Sequence, residues 1–124
     1  MQQNKFSWKQ RGNSFSYAWD GIKGLLRTEH NSWIHLGLTI MVVVLSIYFR
    51  INLSEVVSLV IVTAMVWAAE LFNTAIEKSM DFLSKDIQPQ IKLIKDLAAA
   101  AVLITALAAL VVGALIFIPR IIGT

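Results

Sequence analysis

The stretch WAAELFNTAIEKSMDFL, Trp67 to Leu83, decides how this chain is read. It opens inside an apolar run and then sets Glu70, Asn73, Glu77 and Asp81 at helical intervals. At 100° per residue the four fall within an arc of about 80°, and the helical rise spreads them over roughly 16 Å of axis. They make one polar stripe at the end of an apolar segment. The run from Leu97 to Pro119 carries no charge and is long enough to span a bilayer. Ile34 to Phe49 is a shorter span, with Trp33 and Tyr48 near its ends where an aromatic belt belongs. Three transmembrane helices are expected, at about 33–50, 53–82 and 95–119.

Working outward, the chain is one domain of 124 residues, 56% hydrophobic, and its apolar runs exceed what a soluble domain needs. Met1 to Ser14 is mostly polar and basic, so no cleavable leader is expected. Lys5, Lys9, Arg11, Lys23 and Arg27 precede the first span, and Lys78, Lys85, Lys92 and Lys95 follow the second. Arg50 alone falls in the first loop and Arg120 alone follows the third span. The positive-inside rule then places the N-terminus and the 78–96 loop in the cytoplasm, with residues 50–55 and the C-terminus outside. Phe15, Ala18, Trp19, Ile22, Leu25 and Leu26 recur at helical spacing with Asp20, Lys23 and Arg27 between them, which predicts an amphipathic helix on the membrane surface over about 13–30. Only RIN separates the first two spans, predicting a tight antiparallel hairpin. Pro89 is expected to break helix in the loop before the third span.

The stripe carries the chemistry. With the second helix entering the bilayer near Val56, Glu70 lies roughly 20 Å along it, just under the cytoplasmic interface, and Glu77 roughly 30 Å along, within that interface. A carboxylate at membrane depth is costly and marks a function, here that of a general base or of a proton carrier. Glu77, one turn from Asn73, can bind a hard cation through oxygen. Lys95 and Asp96 open the third helix, and the connection returns them beside Glu77 and Asp81; carboxylates, an amide, a lysine and helix N-terminal amides can together hold a metal-complexed phosphate. Glu29, at the end of the surface helix, approaches the same level. His30 and His35 read as interfacial polar residues, and neither has a partner for a zinc site. The alanines from Ala98 to Ala101, with Ala106, Ala109 and Gly113, read as close helix packing. There is no cysteine, no GxxxxGK[ST] nucleotide loop, no catalytic triad and no basic stripe for nucleic acid. A transporter would place its acids near the bilayer centre, whereas this stripe clusters at one side.

ELFNTAIE, Glu70 to Glu77, followed by Asp81 and then KDLAAAAV from Lys95, resembles the signature of the small prokaryotic diacylglycerol kinase family, which includes the undecaprenol kinases. YAWDGIKGLLRTEHN resembles that family's N-terminal surface helix, and the likeness runs over nearly the whole chain. The resemblance implies an all-α integral membrane fold of a surface helix and three spans, assembled as a homotrimer with composite sites in a bacterial cytoplasmic membrane. It implies transfer of phosphate from ATP to a lipid hydroxyl, of diacylglycerol or undecaprenol. Glu70 would be the general base, Glu29 and Glu77 the Mg2+ ligands, and Asn73 the amide orienting phosphate and metal. Lys95 and Asp96 would contact nucleotide, with Asp81 in support and Arg11 and Tyr17 as N-terminal contacts.

Overall fold

The computed structural model describes residues 6–123. They form four helices in order: α1 Trp8–Thr28, α2 Asn31–Phe49, α3 Leu53–Leu83 and α4 Pro89–Ile121. Lys5, counted above in the charge bias, lies outside the described residues. The all-helical fold agrees with the sequence pattern, and α2, α3 and α4 are each long and apolar enough to cross a membrane. Their lengths differ in a way that matters. At about 1.5 Å per residue, α2 is roughly 28 Å long and just matches a hydrocarbon core of about 30 Å, whereas α3 and α4 reach roughly 46 and 50 Å. The two long helices therefore extend past α2 at one end, the end that bears the polar stripe.

Two boundaries depart from expectation. The first helix begins at Trp8 rather than near residue 13, because the Ser7 hydroxyl accepts from the Gln10 N–H and caps it; it ends at Thr28. The last helix begins at Pro89, about six residues before the expected start. Pro89 does not break helix; it starts one. At the first helical position its missing N–H is one that no intrahelical acceptor would have received, and its fixed φ suits the helix. Lys95 and Asp96 consequently stand about two turns into the helix, with Gln88 as the cap residue.

The turn between α2 and α3 is closed from both sides. Arg50 takes a left-handed conformation, φ 49° and ψ 55°. Its N–H donates to the Ile47 carbonyl and that of Ile51 to Ser46, the paired bonds that end a helix at a left-handed residue. Asn52 then caps α3: its Oδ1 accepts from Glu55 N–H at 2.9 Å, while Glu55 Oε1 accepts from Asn52 N–H at 3.2 Å. Glu55 also receives a two-pronged bond from Arg120, at 2.7 and 2.6 Å, which ties the start of α3 to the end of α4. Beneath this clasp Leu59, Ile116 and Phe117 form the buried core, with Val42, Leu45 and Phe49 packed against it.

Most interhelical contact lies between α3 and α4, and α2 meets α3 along a narrower seam. The first two spans are thus a hairpin by connection, but the close pairing belongs to the second and third. Few side chains are buried, and large apolar residues such as Phe72, Leu103, Ile104 and Leu110 face outward, as a lipid-facing surface requires. Replacing Asn52 by Ala removes the cap of α3, and unfolding in detergent micelles should show a loss of about 1 kcal/mol.

Candidate active site

Glu70 is 6% exposed, the most deeply buried charged side chain among the described residues. Its Oε1 lies 2.6 Å from His35 Nε2 on α2. His35 is the residue that the sequence pattern undersold as an interfacial polar group. A signal was available: in a hairpin that turns at residues 50–52, positions equally far from the turn face each other, and this pairs 35 with the 67–70 region. Trp67 confirms the register. Its ring stands 6.4 Å from that of His35, and its Nε1 donates to Thr39 Oγ1 at 3.0 Å.

Farther along α3, Asn73 Nδ2 donates to Glu77 Oε1 at 3.4 Å, joining two members of the stripe. Asn73 Oδ1 is buried with no hydrogen-bond partner among the described residues, as is Thr74 Oγ1 beside it. At the end of the stripe Lys95 Nζ donates to Asp81 Oδ1 at 2.7 Å, so the connection does bring α4 back to α3. Asp96 turns instead to Lys92 on its own helix, at 2.5 Å, and leaves Lys95 to Asp81.

Glu29 comes to this end of the molecule by a backbone device. It terminates α1, and its carbonyl accepts from the Ser32 hydroxyl at 2.5 Å, while Trp33 Nε1 reaches back to the Leu26 carbonyl at 2.9 Å. Ser32 is fully buried in this corner, and Leu25 packs under it. The angle between α1 and α2 is thus fixed by side chains of α2 bonding the last carbonyls of α1. The Glu29 and Glu77 carboxylates are not part of any group of three or more His, Cys, Asp or Glu that could hold a metal among the described residues. Arg11 stands over the Phe6 ring, 5.2 Å from its centroid, and Tyr17 is exposed; neither hydrogen-bonds to the stripe among the described residues.

An apolar groove of about 460 Å³ runs between α2, α3 and α4 from His35 to Ile121. Trp67, Ala106, Ala109 and Gly113 line it. The small residues of α4 read as close helix packing divide by position: Ala98 is buried, while Ala106, Ala109 and Gly113 open the groove. A second groove, on the other face of the α2–α3 seam, includes Thr39 and Trp67 but does not reach His35.

A family model for prokaryotic diacylglycerol kinase matches residues 16–117. The chain belongs to the prokaryotic diacylglycerol kinase family. Within it, the chain is 32% identical over 119 residues to a diacylglycerol kinase of Synechocystis sp., covering 93% of this chain and 68% of that protein. It is equally 32% identical over 107 residues to the undecaprenol kinase of Bacillus subtilis, covering 86% and 87%. The matched region contains Glu70, the whole polar stripe, His35 and Lys95, so the buried carboxylate and its partner lie inside the family's kinase domain. The unpartnered Thr74 hydroxyl gives a direct check on how the site is completed. With no hydrogen bond to lose among the described residues, Thr74→Val should leave thermal stability unchanged or raise it by about 1 kcal/mol; a loss would mean that the assembled protein supplies this hydroxyl with a partner.

Proposed function

We propose that this membrane lipid kinase transfers the γ-phosphoryl group of ATP directly to the hydroxyl of diacylglycerol or undecaprenol, with Glu70 as general base. The observation that carries the reading is the position of Glu70. It is a buried carboxylate roughly 22 Å along α3 from Glu55, close to the level where a lipid hydroxyl meets the phosphate region. The apolar groove that reaches His35 supports a place for the lipid chain beside this carboxylate. Glu70 would take the hydroxyl proton as the oxygen attacks phosphorus, and the bond from phosphorus to the departing diphosphate oxygen would break in line.

Asn73, Glu77, Lys95, Asp96 and Asp81 form the polar end, where nucleotide would bind. Lys95 would exchange Asp81 for phosphate oxygen, with Asp81 setting its resting position. The orphaned Asn73 Oδ1 and the Glu77 carboxylate are hard oxygen donors on one helical face, a set that fits Mg2+, and Glu29 would add a third. Bound there with ATP, the ion would neutralise phosphate charge. Arg11 and Tyr17 on α1 would close over the nucleotide from the cytoplasmic side. The basic bias supports this orientation in a bacterial cytoplasmic membrane, with α1 at the surface. Assembly as a homotrimer with composite sites would let a neighbouring chain complete the acidic set, since among the described residues of one chain no three such groups come together.

A label-transfer assay tests the reading: purified protein in mixed micelles, γ-labelled ATP, Mg2+, and diacylglycerol or undecaprenol in parallel. Label should enter one of the lipids and vanish on chelating Mg2+. Glu70→Gln should lower turnover by about 100-fold or more while ATP binding persists, whereas Glu77→Gln should weaken metal-dependent nucleotide binding. Wild-type activity in the Glu70 variant would exclude it as the base.

A further inference from the structure

We infer that His35 is the positioning residue for Glu70: it holds one carboxylate oxygen so that the other is presented to the lipid hydroxyl. The inference rests on the lipid-kinase reading above and concerns a residue of α2 outside the polar stripe. Glu70 is 6% exposed, and its hydrogen bond is to His35 Nε2, at 2.6 Å from Oε1. A carboxylate ready to accept a proton is charged and offers only acceptors, so the hydrogen between the two groups belongs to Nε2. Oε1 is then committed to His35, and Oε2 receives the hydroxyl proton as the lipid oxygen bonds to the γ-phosphorus and the bridging oxygen leaves with ADP.

The histidine is itself held. Thr39 Oγ1 donates to the His35 carbonyl at 2.7 Å and accepts from Trp67 Nε1 at 3.0 Å, and the Trp67 ring stands at 62° to the imidazole. Trp67 lies three residues before Glu70 on α3, so one turn of α3 carries both the base and the ring that stands beside its partner. His35 also lines the apolar groove, so a lipid chain lying there would meet the residue that holds the carboxylate. An unheld Glu70 has freely rotating side-chain bonds, and misplacing a reacting group by about 1 Å costs on the order of 100-fold in rate.

The test compares wild type, His35→Leu and His35→Gln in mixed micelles, reading kcat, KM for MgATP and for lipid, and thermal unfolding. Leu keeps volume without a donor; Gln keeps a donor near Nε2. His35→Leu should lower kcat by about 100-fold with KM for MgATP within about twofold, and His35→Gln should recover at least about tenfold of that loss. Where the Leu variant does not fold, His35→Ala takes its place, and Gln against wild type still reads the donor. A folded Leu or Ala variant with kcat within about threefold of wild type overturns the proposal, as does a kcat that falls only in step with melting temperature. So does a Gln variant as slow as the Leu variant. Absence of lipid phosphorylation by wild type overturns the kinase reading itself, an outcome distinct from an active wild type indifferent to His35.

Discussion

The register of α3 against α4 is the constraint on which the rest of this molecule depends. It is fixed at both ends by ion pairs: Arg120 on Glu55 where α3 begins, and Lys95 on Asp81 where it runs out. The two pairs enclose nearly equal lengths of antiparallel helix, roughly 39 Å on α3 and 38 Å on α4. That distance exceeds a hydrocarbon core of about 30 Å, so both pairs can sit in water or headgroups with the apolar length of the two helices between them. A slip of one turn would break both pairs and draw a charge toward hydrocarbon, where unpaired charge is expensive.

Fixing that register places the stripe. Glu70 falls inside the apolar length, while Glu77 and Asp81 fall beyond or at its edge, so one helical face grades from membrane to water over a few turns. The graded face suits a reaction whose two substrates differ in phase, a lipid alcohol and a charged nucleotide. α2 contributes through its shortness. Just long enough to cross, it brings His35 to the level of Glu70 and delivers Ser32 and Trp33 to the end of α1, whose last carbonyls they bond.

The stripe itself was legible because helical periodicity needs no tertiary information, and the ELFNTAIE signature sharpened it. Three long apolar helices were legible for the same reason. The start of α4 was misread because Pro inside a charged loop looks like a breaker, and only the chain geometry shows that it stands at the first helical position. Arg120 had served only as a marker of topology, since nothing in its neighbours in sequence points to Glu55, 65 residues away. His35 was undersold for a similar reason. A lone histidine in an apolar run carries no signal until the register of the hairpin is applied to it.

By itself the sequence determined that this is an all-helical membrane protein with a line of acids and an amide on one face at the end of an apolar helix, because burial and periodicity act locally and leave their pattern in the order of residues. Tertiary structure alone decided which polar groups meet: Glu70 with His35, Asp81 with Lys95 rather than Asp96 with Lys95, and Glu55 with Arg120. It also decided that α4 pairs more closely with α3 than α2 does, and that Ala106, Ala109 and Gly113 open a groove instead of closing one. The reason is physical. A hydrogen bond or ion pair is satisfied over a few ångströms between side chains far apart in the chain, and helix composition constrains how deep a residue sits but not which residue of another helix it faces.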